Sequence, residues 1–204
     1  PDTGRKQFLL IDPQREIHIG DQAAPAFLRD NGGEIPSPQV RDYVSRVGRR
    51  LASQSRRPDL PWEFHTLDSS VLNAFALPGG KVFITRAMLE RLESEAQLAG
   101  VLGHEIGHVT GKHVADRMSQ ALLLQAAAIG LGAVGRDKDE DWLRILGVSS
   151  QVGTTVYLLS FSRDQELEAD KLGVRYMTLA GYNPVGQLQV MQILQESGPS
   201  ARGV

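Results

Sequence analysis

Pro1 to about Asn31 is mostly polar, with one apolar patch from Phe8 to Ile11, and reads as a lead-in. Pro36 to Pro38 breaks the chain. Beyond it, Val40, Tyr43, Val44, Val47 and Leu51 recur at helical spacing and predict an amphipathic helix from Val40 to Ala52. Ser53 to Pro58 is a basic loop. Trp62 to Leu67 predicts a strand with Trp62, Phe64 and Thr66 on one side. Val71 to Leu77 and Lys81 to Thr85 predict two more, and Pro78-Gly79-Gly80 between them signals a hairpin. Arg86 to Glu93 reads as a short helix.

Ser94 and Gln97 fit a capping box, and Leu98, Leu102, Ile106 and Val109 follow as an apolar helical stripe. Gly100, Gly103, Gly107 and Gly111 form a second stripe beside it. Each glycine costs a helix up to ~1 kcal/mol relative to alanine, so the stripe implies a neighbouring backbone packed very close. Ala121 to Gly135 and Ile145 to Phe161 are apolar runs separated by the charged linker Arg136 to Asp141. The first is shorter than the ~20 residues of a membrane span and contains Gln125 and glycines. The second carries Ser149, Ser150, Gln151, Thr154 and Thr155, so both read as buried or amphipathic helices. Ser162 with Gln165 gives another capping box, opening a helix through Leu179 that Gly181 stops. Asn183-Pro184 starts a last helix to about Glu196, and Ser197 to Val204 is a frayed tail. The pattern predicts an α+β, mainly helical fold with a small β-sheet. Residues 1–35 form a lead-in packed on one domain of residues 36–204.

Composition narrows the chemistry. At 41% hydrophobic and 23% charged, the chain can bury a real core. A net charge of −2 gives no electrostatic case for a nucleic-acid partner, and Arg49, Arg50, Arg56 and Arg57 read as a solvated helix end and loop. There is no cysteine, which leaves His, Asp and Glu as metal ligands. Pro1 stands where an initiator methionine would, so the chain reads as a processed or trimmed piece.

Those ligands are present as His104-Glu105-Ile106-Gly107-His108, an H-E-x-x-H pattern. On a helix, positions i and i+4 share a face, so both imidazoles can reach one ion. Zinc suits two imidazoles and a carboxylate, with a fourth position for water, and Glu105 is placed to take that water's proton. His113 lies five residues beyond His108 on another helical face, one residue off the H-E-x-x-H-x-x-G-x-x-H spacing. It reads as a residue behind the ligands, facing substrate or exposed. Downstream, Asp164-Gln165-Glu166-Leu167-Glu168-Ala169-Asp170 supplies acids near a helix start, where the helix dipole accounts for Asp164. Glu166 and Asp170 share a face. They suit a third zinc ligand and an acceptor for the other N–H of a ligating histidine, with Glu168 as the rival ligand.

Together, His104 to His108 and Glu166-Leu167-Glu168-Ala169-Asp170 resemble the HtpX-like and CAAX-prenyl-endopeptidase-like family of gluzincin zinc metallopeptidases. Its second motif is E-x-x-A-D. Asn73-Ala74-Phe75-Ala76-Leu77-Pro78-Gly79-Gly80 is similar to the family's N-A-x-x-x-P-G-G element, a strand beside the active-site helix. The match runs from about Asp42 to Glu196 and is nearest to the soluble, periplasmic (BepA-like) branch. Many soluble members continue into an H-P-x-x-x-R-like segment or helical repeats, which this sequence does not show.

The resemblance implies a zincin-like domain holding one Zn2+ through His104, His108 and Glu166, with Glu105 as general base and Asp170 as the supporting acid. It implies an extended protein or peptide substrate along Asn73, Ala74 and Phe75, a periplasmic or otherwise exported location, and a role in envelope protein quality control, with membrane-associated proteins as possible partners. Arg163, Tyr157, Tyr176, Tyr182 and His113 are the candidates to stabilise the oxyanion. The alternatives are a zinc-containing chaperone-like assembly factor with latent proteolysis, and a structural zinc module closed by a fourth protein ligand.

Overall fold

The computed structural model describes Gln7, Leu9 to Ile129 and Phe161 to Glu196. Most of the second apolar run, the linker Arg136 to Asp141, Tyr157 and the tail from Ser197 lie outside the described residues. The elements are α1 (Pro13–Asp30), α2 (Pro38–Ala52), β1 (Glu63–Leu67), β2 (Ala74–Leu77), β3 (Lys81–Thr85), α3 (Arg86–Leu89), α4 (Glu95–Thr110), α5 (His113–Ile129), α6 (Arg163–Leu179) and α7 (Val185–Glu196). No helix among the described residues is long and apolar enough to cross a membrane.

The mainly helical α+β expectation holds, with one substantial correction at the start. The polar lead-in is an 18-residue helix. Asp12 caps it by accepting from the Arg15 N–H at 2.8 Å, and Pro13 occupies the first turn. Its buried face is built from Ile19, Ala23, Ala24 and Phe27. Two predicted elements are shorter than expected: β2 begins at Ala74 rather than Val71, and α3 ends at Leu89 rather than Glu93.

The sheet has the order β1-β3-β2, with β1 parallel and β2 antiparallel to β3. Pro78-Gly79-Gly80 makes the β2–β3 turn, and both glycines have positive φ (77° and 94°), which a side chain would strain. Strand alternation divides the core into two layers. On one face, Phe64, Ala74, Ala76, Val82 and Ile84 pack on Val44, Val47 and Leu51 of α2 and Leu98, Leu102 and Ile106 of α4. On the other, Leu67, Leu77 and Phe83 pack on Ile19, Ala23 and Phe27 of α1 and Val114 and Met118 of α5. The N-terminal helix therefore closes one of the two core layers. Buried Glu16 fastens it through Arg57 Nη1 at 2.6 Å, while Arg57 also donates to the Val109 carbonyl at the end of α4.

Gly100, Gly103 and Gly107 of the glycine stripe meet a neighbouring backbone as predicted, whereas Gly111, at the end of α4, faces the His113 side chain. A Cβ on Gly107 would lie 2.6 Å from the Ala169 carbonyl oxygen of α6, and one on Gly100 would lie 2.8 Å from the Gln187 Cα of α7. Backbone thus approaches backbone along the histidine-bearing helix.

Candidate metal centre

Ser94 starts α4 by accepting from the Gln97 N–H at 3.2 Å. The Gln97 side chain accepts from the Glu93 N–H at 2.7 Å rather than from Ser94, so only half of the expected capping box forms. At α6 the box is complete, with Ser162 and Gln165 satisfying each other's backbone N–H groups. The two caps fix where each helix begins, and hence which turn carries His104 and which carries Glu166.

The helices bring together three ligand-type groups. His104 Nε2 and His108 Nε2 are 2.9 Å apart. Glu166 Oε2 is 3.4 Å from the first and Glu166 Oε1 is 3.7 Å from the second. One atom from each of the three residues lies within 4.8 Å of the others. Glu166 Oε1 is shielded from solvent and makes no hydrogen bond among the described residues, although it lies 3.7 Å from His108 Nε2. An inward-facing acid oxygen with two imidazole nitrogens fits a zinc ion with an open fourth position. Among the described residues no fourth protein ligand joins this cluster, so the structural zinc module gains no support.

The surrounding contacts hold these groups in place. Asp170 Oδ1 lies 2.8 Å from His104 Nδ1 and accepts from Gln187 Nε2 at 2.9 Å, which ties the acid to α7. Behind His108, its Nδ1 is 2.9 Å from His113 Nδ1, and the Phe161 ring stacks on His108 with centroids 4.1 Å apart. His113 is fully buried. It is therefore not exposed, and it is not among the residues that line the cavity described below. Glu168 lies 3.4 Å from His113 Nε2 and is not part of the His104, His108 and Glu166 cluster.

The electrostatics reflect crowding. Burial opposes a charge on His104, yet hydrogen bonds to Asp170 and Glu166, with the nearby carboxylates, push its pKa up to about 10. Burial, aided by the charges of His104 and His113, holds His108 well below the ordinary imidazole range. Burial is also the main cause lifting Glu105 to about 7; Glu166 adds to the shift and His104 opposes it. Glu105 borders a cavity of about 210 Å3 together with His104, Glu166 and Asp170. Leu72, Met88, Val101, Val190, Met191 and Leu194 give that cavity an apolar wall.

Asn73 and Ala74 border the same cavity. Phe75 does not join them: it stacks on Phe83 at 4.8 Å and contacts Phe27, on the sheet face turned toward α1. Two oxyanion candidates are removed. Tyr176 is buried with its hydroxyl 2.9 Å from Thr110 Oγ1, and His113 is enclosed behind His108. Tyr182 is engaged elsewhere, with Arg50 over its ring at 4.8 Å. Arg163 is exposed on the first turn of α6, one helical turn before Glu166.

Comparison with known proteins decides the family. Residues 38–202 match the model described as Peptidase family M48. The chain belongs to peptidase family M48. The M48 domain is 29% identical over 188 residues to the beta-barrel assembly-enhancing protease of Escherichia coli, covering 90% of this chain and 38% of that protein. It is 36% identical over 192 residues to the mitochondrial metalloendopeptidase OMA1 of Schizosaccharomyces pombe, covering 90% of this chain and 53% of that one. The same mitochondrial enzyme of Arabidopsis thaliana is 29% identical over 153 residues, covering 74% of this chain and 30% of that protein. The chain thus spans about two fifths of the length of the bacterial relatives it matches. Membership agrees with the gluzincin resemblance and with zinc as the metal that the His104, His108 and Glu166 cluster fits.

Proposed function

We propose that the chain is the catalytic domain of a zinc-dependent endopeptidase acting on extended protein segments. The observation that carries this reading is the convergence of His104, His108 and Glu166, of which His104 and Glu166 border a cavity shared with Glu105 and the start of β2. Zinc, when bound, supplies Lewis acidity for the scissile carbonyl and lowers the pKa of water toward about 7.

Glu105 does the proton work. Burial raises its pKa above the ordinary carboxylate range, which suits a group that takes a proton from the attacking water and returns it within one turnover. Water oxygen bonds to the carbonyl carbon, the carbon–nitrogen bond breaks, and the proton held by Glu105 goes to the departing nitrogen. The products are a carboxylic acid and an amine, and the acid's proton passes to the amine to give a carboxylate and an ammonium. Arg163 and Tyr182 are the remaining oxyanion candidates among the described residues.

The extended substrate is supported by the edge position of β2, which among the described residues pairs only with β3. The Asn73 carbonyl accepts from the Thr85 N–H, so Asn73, Phe75 and Leu77 point their backbone groups at β3. The intervening Ala74 and Ala76 therefore offer N–H and C=O groups outward, where a peptide strand could add. The apolar wall of the cavity fits a large apolar side chain next to the scissile bond.

A periplasmic or otherwise exported location and a role in envelope protein quality control belong to the same proposal, supported by the relative named for β-barrel assembly, whereas the OMA1 relatives are named for mitochondria. Membrane-associated proteins are the proposed clients. The first of those names also favours a second reading, a chaperone-like assembly factor with latent proteolysis. Glu105→Gln separates the two. As a peptidase, the variant keeps zinc and loses cleavage of an unfolded test protein by about 10²–10⁴-fold. Unchanged cleavage by zinc-loaded Glu105→Gln removes Glu105 as the base.

A further inference from the structure

His104 and His108 are supported in different ways. His104 meets a carboxylate directly, through Asp170 at 2.8 Å. His108 meets another imidazole, that of His113, and only beyond it the carboxylate of Glu168. Glu166, Glu168 and Asp170 all come from α6. One helix therefore supplies the ligand acid on the cavity side and a terminal acid behind each histidine.

The backbone is shaped for this arrangement. α4 ends at Thr110, and Lys112 takes a positive φ of 56°, turning the chain so that His113 begins α5 against the back of His108. The two rings stand edge to face, with centroids 4.9 Å apart and planes at 80°. Gly111 leaves the slot in which the His113 ring lies, since a Cβ there would meet His113 Nε2 at 2.5 Å.

Hydrogen counting then sets each ring. Two Nδ1 atoms 2.9 Å apart share a hydrogen bond only if one carries the proton and the other does not. His108 turns Nε2 toward His104 Nε2 and Glu166, so Nε2 must be bare to act as a ligand atom. Its Nδ1 then carries the proton and donates to His113 Nδ1. The His113 proton is left on Nε2, facing Glu168 Oε2 at 3.4 Å. A ligating imidazole whose other N–H is fixed this way has one tautomer and one ring angle.

We propose that His113 and Glu168 are positioning residues that hold His108 in the tautomer and orientation of a zinc ligand. The proposal rests on the metal centre described above. The test is zinc affinity, measured by competition with a chromogenic chelator, with the melting temperature of each metal-free variant measured alongside. His113→Phe keeps a ring in the slot and removes the acceptor; its zinc affinity falls about 10–100-fold. His113→Asn places an amide oxygen where Nδ1 stands and restores most of that loss, which a purely space-filling role would not do. Glu168→Gln falls between the two.

Two-bond nitrogen–proton correlation spectra of the zinc-loaded wild-type protein give a readout that needs no variant to fold. The expected pattern is a proton on Nδ1 of His108 and on Nε2 of His113. A proton on Nδ1 of His113, or wild-type affinity in His113→Phe while Glu166→Gln loses zinc, overturns the proposal and leaves the metal centre standing. Retention of zinc by Glu166→Gln overturns the metal centre itself.

Discussion

Adding one methyl group at Gly107 should drive α4 and α6 apart at the level of the ligands. In Gly107→Ala the new Cβ would sit 2.6 Å from the Ala169 oxygen and 2.9 Å from its Cα. Carbon atoms pack at roughly 3.5–4.0 Å, so the helices must separate by about 1 Å. Neither obstacle is a side chain that can swing away. Overpacking of this kind costs about 1–3 kcal/mol, and with backbone as the obstacle the upper end applies; up to ~1 kcal/mol of improved helix propensity offsets it, leaving a net loss near ~2 kcal/mol. For a domain of this size that lowers Tm by roughly 4–8 °C.

Ala169 precedes Asp170 and lies one turn past Glu166, so the movement carries both acids away from the imidazoles. Zinc affinity should fall about 10-fold or more. Gly103→Ala is the graded control: its Cβ meets Gly173 atoms at 3.3 Å, and its stability should stay within about 1 kcal/mol of wild type. Calorimetry on metal-free protein and chelator competition on both variants provide the assay. Wild-type melting and wild-type zinc affinity in Gly107→Ala would refute the close-packed account of the two helices.

Other perturbations test separate parts of the account. Arg57→Ala strands the buried Glu16 carboxylate, with Lys112 Nζ still 3.4 Å away, and should cost about 3 kcal/mol in urea denaturation, partly recovered by adding Glu16→Gln. Tyr43 donates to Glu95 at 2.8 Å, and burial first, then Glu95, pushes its pKa up to about 12 from 10. The folded state therefore keeps a proton that the unfolded chain releases, so stability falls as pH rises from about 10 to 12. A tyrosinate titration at high pH should show a late phenol that disappears in Tyr43→Phe. Peptide substrates N-methylated along their backbone should lose cleavage at every second position, because only Ala74 and Ala76 face outward from β2; a uniform loss would argue against strand addition.

Much of the site was legible because its chemistry follows local helical spacing. His104 and His108 had to share a face, and the Gly100–Gly103–Gly107 row had to meet another backbone. Glu166 and Asp170 had to lie together, though their attachment to His104 and His108 is a tertiary fact that motif resemblance supplied. The N-terminal helix was missed because its buried stripe is two alanines, one isoleucine and one phenylalanine, too weak a hydrophobic signal among polar neighbours. Asp12-Pro13, a cap followed by a first-turn proline, was the signal that could have found it. The parallel pairing of β1 with β3 has no local signature, since parallel strands need a long connection between them. His113 is brought behind His108 by the turn at Lys112, whose positive φ is unusual for a lysine and invisible in the apolar pattern, and the contact of Glu168 with His113 is a tertiary one between α6 and α5.

The central claim is that His104, His108 and Glu166 hold one zinc ion with Glu105 beside it. An anomalous difference map from crystals of zinc-loaded Glu105→Gln protein tests it most directly. The account predicts one peak about 2.0–2.2 Å from His104 Nε2, His108 Nε2 and a Glu166 oxygen, with the fourth position free of protein. A peak coordinated by Glu168 or His113, or none between these two helices, would contradict it.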